Sequence, residues 1–292
     1  MTLQGVLLQL CALMIFVVMD TTLKLLTSEF SVVQIIWARF FFSFLTVAAL
    51  MRITSGRLPW RSRAPGLQAL RSLLLMGCSL IFTWALSHIP LVDATAVGFA
   101  SPLITVALAA LILREPVSAR RWCGVALGFL GVMVALRPPF LTGAPLHWAY
   151  LLPLGTATMF GFYQILTRKL AALDDSRVTI LHTGVAAAIA TSLMQPFVFV
   201  APSAWEWTAL IAVGVLGGIS HGLLVLAYAR APASLLAPLS YTQLIWASFA
   251  GVIVFQDWPD GVTLLGAAII AAGGLLTALP QRTKARGETS SS

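Results

Sequence analysis

Runs of about 20 apolar residues recur along almost the whole chain, and that is the length an α-helix needs to cross a hydrocarbon layer about 30 Å thick. Ten can be marked: Leu3–Leu26, Val32–Met51, Leu67–His88, Val92–Leu113, Ala119–Leu136, Trp148–Leu170, Val178–Val200, Trp205–Tyr228, Ser234–Phe255 and Gly261–Leu279. The connectors, such as Ser55-Gly56-Arg57-Leu58-Pro59 and Arg137-Pro138-Pro139, are too short for a soluble domain. Lipid offers no partner to a backbone N–H or C=O, so each run must satisfy its own backbone as a helix. The expected fold class is an all-α integral membrane protein with ten transmembrane helices. A content of 59% hydrophobic and 10% charged residues, with a mean hydropathy of +0.93, lies far from that of soluble domains.

The first run lacks the basic start and small-residue cleavage site of a signal peptide and is read as the first span. The net charge of +8 reflects topology rather than nucleic-acid binding. With the N-terminus inside, all but Lys24, Arg39 and Arg137 of the 18 Lys and Arg fall on inner connections or the tail, which places both termini in the cytoplasm. Cys11, Cys78 and Cys123 lie inside runs without metal-type spacing and are read as small packing residues.

Laid on itself with a shift of 142 residues, the chain brings Pro90 onto Pro232, Glu115 onto Asp257, Gly124 onto Gly266, Gly131 onto Gly273 and Pro138 onto Pro280. These coincidences indicate a duplication: residues 1–140 and 141–280 form two five-helix repeats, and 281–292 form a disordered cytoplasmic tail. Five spans is an odd number, so the second repeat enters the membrane inverted. Arg114, Arg120 and Arg121 near the first repeat ending, against no base in Phe255-Gln256-Asp257-Trp258-Pro259-Asp260, agree with that inversion. Inverted repeats are the common plan of secondary transporters, whose central site is exposed alternately as one half rocks on the other.

The stretch LILREPVSARRWCGVALGFLGVM, Leu111 to Met133, sets an acidic residue after an apolar helix and follows it with glycines at helical spacing. It resembles the repeat ending of the drug/metabolite transporter superfamily, EamA type. The counterpart Ile253 to Leu275 departs from that pattern, with Asp257 in place of the glutamate and Trp258 before the proline. Within the superfamily the chain is most similar to bacterial aromatic amino-acid exporters of the inner membrane. The resemblance implies a multi-pass inner-membrane transporter with a central cavity between its halves, exporting amino acids or related metabolites and drugs.

Ionisable residues inside a span are costly and mark candidate sites. Asp20 and Lys24 stand four apart on the first helix, acid before base, and Arg39 sits at a matching depth of about 10 Å. The three are read as an outer gate, as holders of the ammonium and carboxylate of a zwitterionic substrate, or as a salt-bridged cluster that only locks two helices. Asp20 is read as the one carboxylate well inside a span and so the candidate for proton coupling. Pro102 and Pro238 should break their helices near mid-bilayer. The 142-residue shift pairs Phe99 with Tyr241 and Ser101 with Gln243, and Trp84, Tyr163, Gln164 and Trp246 extend the theme of a ring beside a polar group. Such rings would stack on an aromatic substrate while Ser101, Gln164 and Gln243 meet its polar end; the alternative is packing or an interfacial belt. Trp148, Trp205, Trp207 and Trp258, with His88 and His147, are read as span-end residues.

No cofactor or metal is expected, since no phosphate-binding glycine loop or metal-ligand spacing is present. The expected partners are a small-molecule substrate and the bilayer, with no nucleic acid. Gly124, Gly128, Gly266 and Gly273 suit either internal packing or a dimer, so the assembly is a monomer or a homodimer. The enzyme alternative rests on Gly218-Ile219-Ser220-His221-Gly222, a G-x-S-x-G pattern in which Ser220 would act with His182 as an intramembrane serine protease. Gly214, Gly218 and Gly222 instead recur every four residues, as a ridge for close helix packing does, and leave His221 beside the contact.

Overall fold

With no water to accept its hydrogen bonds, an apolar segment in lipid closes its own i to i−4 ladder, and the chain is helical accordingly. The computed structural model describes residues 2–112, 117–136, 147–228, 230 and 239–278, and among them there is no strand. The elements are α1 (Thr2–Leu26), α2 (Val32–Ser55), α3 (Pro65–Leu86), α4 (Leu91–Gly98), α5 (Ser101–Ile112), α6 (Ala119–Leu136), a 3₁₀ turn (Trp148–Tyr150) running into α7 (Leu151–Ala171), α8 (Ser176–His182), α9 (Val185–Val198), α10 (Ala204–Tyr228), α11 (Thr242–Ala250), a π-helical turn (Gly251–Phe255) and α12 (Gly261–Ala278). Six stretches are long and apolar enough to cross a membrane: Leu3–Leu26, Val32–Ser55, Pro65–Leu86, Leu91–Ile112, Ser176–Val198 and Ala204–Leu224. Trp122–Ala135, Thr242–Phe255 and Gly261–Leu276 are apolar but shorter, and among the described residues of α7 neither kind of stretch is found.

Local chemistry sets the ends. Ser31 caps α2 by accepting from the Gln34 N–H, and Gly56, at φ 68°, closes it by donating to Arg52 O. Ser203 and Glu206 form a reciprocal capping box at the start of α10. The break foreseen at Pro102 falls at Phe99–Ala100, which lets the proline sit second in α5, where its missing N–H costs nothing. A further break at Thr183–Gly184, between α8 and α9, carries no proline signal. Pro238, Pro232, Pro280, Glu115, Pro138 and the tail 281–292 lie outside the described residues.

Glycine decides the closest helix contacts. A Cβ on Gly131 would stand 2.6 Å from Ile270 N and 2.8 Å from Gly266 O, and one on Gly273 would stand 2.5 Å from Gly128 N and 2.6 Å from Gly124 O. The glycines of α6 and α12 therefore pack on each other inside one chain. Gly214 and Gly218 likewise receive α2, at Ala38 O, Ser43 N and Ser43 O. Gly222 departs from the expected ridge, since a side chain there would meet nothing within 4 Å.

These contacts give a stability test. Gly273→Val should lower the thermal unfolding midpoint in detergent, at an overpacking cost of about 1–3 kcal/mol. Gly222→Ala should stay within about 0.5 kcal/mol of the parent. Equal effects would show that the α6–α12 contact carries no special load.

Candidate functional site

The helices enclose a cavity of about 840 Å³. Its wall draws on both halves: α1 gives Phe16, Met19 and Asp20, α2 gives Arg39, α3 gives Cys78 and Phe82, and the α4–α5 break gives Phe99, Ser101 and Pro102. From the second half come Phe160 and Gln164 of α7, His221 of α10, Tyr241 and Gln243 at the start of α11, and Gly274 of α12. Rings dominate. The Phe99 and Tyr241 centroids lie 5.2 Å apart, and His221 meets Phe16 edge-on at 5.0 Å. Hydroxyls and amides from Ser79, Thr95, Ser101, Thr105, Gln164 and Gln243 interrupt the apolar surface.

Asp20 and Arg39 bring opposite charges to this wall without an ion pair between them. Among the described residues the one ion pair within 4 Å joins Lys24 Nζ to Asp257 Oδ2 at 3.1 Å. The salt-bridged alternative for Asp20, Lys24 and Arg39 is therefore not what the side chains adopt. Lys24 leaves its neighbour on α1, donates also to Ile89 O at 3.4 Å, and lies 4.5 Å from the centre of the Phe255 ring. The π-helical turn and the left-handed Gln256, at φ 59°, bring Asp257 round to it, with the Asp257 N–H donating to Gly251 O. Lys24 is one helical turn from Asp20, about 6 Å along the axis, so this pair lies at the end of the bundle next to the cavity.

The same end holds a second cross-half joint. Asp93, only 8% exposed in the first turn of α4, accepts from the Tyr150 hydroxyl and from Thr263 Oγ1, the latter at 2.8 Å. Asp20 is therefore not the only buried carboxylate, and Asp93 lies one residue inside the border of its apolar run. Arg71, counted among the inner-surface bases, is 5% exposed inside α3. Its guanidinium donates to Thr167 Oγ1 at 2.7 Å, Thr183 Oγ1 at 2.9 Å and the Tyr163 hydroxyl. Tyr163 thus belongs to a polar knot joining α3, α7 and the α8–α9 break rather than to the cavity wall.

Trp84 and Trp246, which the sequence places with the site, do not line the cavity. Trp84 is 47% exposed and packs on Trp148 and His88, while Trp246 is 38% exposed beside Phe249. Ser220 is fully buried and spends its hydroxyl on Leu216 O and Gly217 O of its own helix, at 2.7 and 3.1 Å. His182 gives its Nδ1 to a contact with Val178 O. The pair proposed for proteolysis is satisfied locally, as helix-embedded hydroxyls and imidazoles are.

At the opposite end, outside the spans, Asp174 accepts from Ser62 Oγ, from Arg63 N at 2.7 Å and from Gln68 Nε2 at 2.9 Å. Its pKa is held below the ordinary 3.8, first by the Ser62 hydroxyl, against an opposing effect of burial, and then by the Arg63 N–H, the Gln68 amide and the charge of His182. A depressed carboxylate contributes stability that is present above its unfolded pKa and lost as pH falls through the folded one.

Two outcomes follow. Asp174→Asn should lower the unfolding midpoint at pH 7, and parent and variant should converge once the pH drops below the folded pKa. Asp257→Asn should weaken closure at the Lys24 end, read as faster labelling of a cysteine placed at Asp20 in an otherwise cysteine-free chain. The exchanged pair Lys24→Asp with Asp257→Lys should restore slow labelling, and failure to do so would leave the contact without a role in closure.

The profile of the EamA-like transporter family matches residues 3–137 and again 147–279. The chain is 28% identical over 251 residues to an S-adenosylmethionine uptake transporter of Rickettsia prowazekii (strain Madrid E), covering 86% of this chain and 84% of that one. It is 27% identical over 279 residues to a riboflavin transporter of Vibrio cholerae, covering 92% and 90%. A solved structure superposes with a TM-score of 0.66 at 21% identity, over 94% of this chain and 96% of the other, a likeness of fold.

Proposed function

As the chain belongs to the EamA-like transporter family, we propose that this secondary transporter carries a small metabolite with an aromatic or heteroaromatic ring and a zwitterionic end through the 840 Å³ cavity. The family and the relatives are transporters, not enzymes, and the protease alternative falls with them. One observation carries the substrate reading: Asp20 and Arg39 face a ring-lined cavity with no ion pair between them. Charges kept out of water need partners, and a bound ammonium and carboxylate would supply them. Phe16, Phe82, Phe99, Phe160 and Tyr241 would hold the ring, with Ser101, Gln164, His221 and Gln243 at its polar edge.

Of the substrates for which the relatives are named, S-adenosylmethionine offers both signs of charge and a purine, whereas riboflavin is neutral. The first fits Asp20 and Arg39 better. Aromatic amino acids would satisfy the same two charges and remain the second reading, although neither relative carries that name. In the proposed cycle, substrate reaches the cavity from one side, the Lys24–Asp257 pair opens, and the halves 1–140 and 141–280 rock between alternate openings. The proposed setting is a bacterial inner membrane crossed by ten helices, with both termini and the tail 281–292 in the cytoplasm. The chain uses Gly124, Gly128, Gly266 and Gly273 internally, which favours a monomer.

Counterflow in proteoliposomes with labelled S-adenosylmethionine, tryptophan and riboflavin tests this. Saturable uptake of a zwitterionic probe is expected, and Asp20→Asn or Arg39→Gln should each reduce it about 10–100-fold, the cost of losing one charge-assisted contact. Trp84→Ala and Trp246→Ala should leave it unchanged. If none of the three probes is carried, or if both charge variants transport normally, the substrate reading is wrong.

A further inference from the structure

The two repeats line the cavity with equivalent positions, and one pair of them differs in a compensating way. Under the 142-residue shift Phe99 corresponds to Tyr241, and Val132, fully buried in α6, corresponds to Gly274 in α12. The second repeat has therefore gained a hydroxyl on its ring and lost a side chain on the helix behind it. The two changes meet in space. A Cβ on Gly274 would overlap the Tyr241 hydroxyl and ring, with Cε2 at 2.8 Å. The Tyr241 ring thus sits against a notch that a valine would fill, its centroid lies 5.2 Å from that of Phe99, and both rings border the cavity.

We propose that Gly274 and Tyr241 together set the largest ring system this transporter accepts, Gly274 as the notch and Tyr241 as the wall that it holds back. The proposal rests on the transport reading above and adds to it a residue of the cavity wall that acts through its neighbour Tyr241. In a close-packed wall a displaced ring has nowhere to go but the open side. A methyl group on Gly274 therefore pushes Tyr241 into the cavity and narrows the slot beside Phe99. Large flat rings lose most. Removing the Tyr241 ring has the opposite effect, because the notch and the former ring volume both join the cavity.

The test uses full-length protein in proteoliposomes with phenylalanine, tryptophan, S-adenosylmethionine and riboflavin, each as labelled substrate and as competitor of whichever probe the parent carries best. Gly274→Ala should raise the KM or inhibition constant of the largest accepted probe about tenfold while moving that of the smallest less than about twofold. Tyr241→Ala should raise the size limit or, where riboflavin is already accepted, remove the discrimination between it and the smaller probes. The double variant should behave as Tyr241→Ala, because the methyl group then has no ring to displace. Equal changes on every probe, or none, overturn the proposal, as does a Tyr241→Ala chain that keeps the parent's limit. Should Gly274→Ala not fold, the Tyr241→Ala result decides alone. A parent that carries none of the four probes instead overturns the transport reading itself.

Discussion

The backbone contact between α6 and α12 is the constraint on which the remaining structure depends. Glycine is required on both sides, because Gly131 faces Gly266 O and Ile270 N while Gly273 faces Gly124 O and Gly128 N. A shift of 142 residues turns the first set of contacts into the second, so the closing helices of the two repeats meet across an internal two-fold axis. Helices in lipid gain little from apolar burial against one another, and close approach with its dispersion contacts takes over that role. Phe99 and Tyr241, equivalent under the same shift, also touch, so the aromatic wall of the cavity lies near the same axis.

The backbone scaffold is symmetric, but the charge laid on it is not. Asp20 and Arg39 come from the first two helices, and their counterparts under the shift are Phe162 and Leu181. The two repeats supply the framework of the cavity, while the departures from symmetry supply its charged groups. The Lys24–Asp257 pair is one such departure, and the Arg71 knot with Tyr163, Thr167 and Thr183 is another, each joining the two halves at one end of the bundle.

Much of this could be read from the sequence, for definite reasons. Hydrophobic run length marks helices because lipid leaves no alternative, glycine spacing marks close packing, and Pro102 marks a break because it lacks a donor. Asp20, Arg39, Phe99, Ser101, Gln164, His221, Tyr241 and Gln243 could be placed at the cavity by asking which polar or aromatic groups sit inside spans. Other features were hidden. The i to i+4 rule pairs Lys24 with Asp20, but its partner Asp257 is 233 residues away and is aimed by a π-helical turn that no residue pattern announces. Trp84 and Trp246 differ from Phe99 only in helical phase relative to neighbours the sequence does not fix. Arg71 and Asp93 lie within a turn or two of span borders, where a charge reads as solvated although both are buried.

The composition of α7 reaches back to how the protein is made. Between Leu151 and Ala171 it carries Gly155, Thr156, Thr158, Gly161, Tyr163, Gln164 and Thr167, polar or small groups that lipid cannot partner. Gly161 nests against Ile104, Thr105 and Leu108 of α5, and Thr167 accepts from Arg71 of α3. Both partners precede it in the chain. The polar and small groups of α7 are therefore met by helices synthesised before it, and the earlier half supplies the partners that lipid cannot.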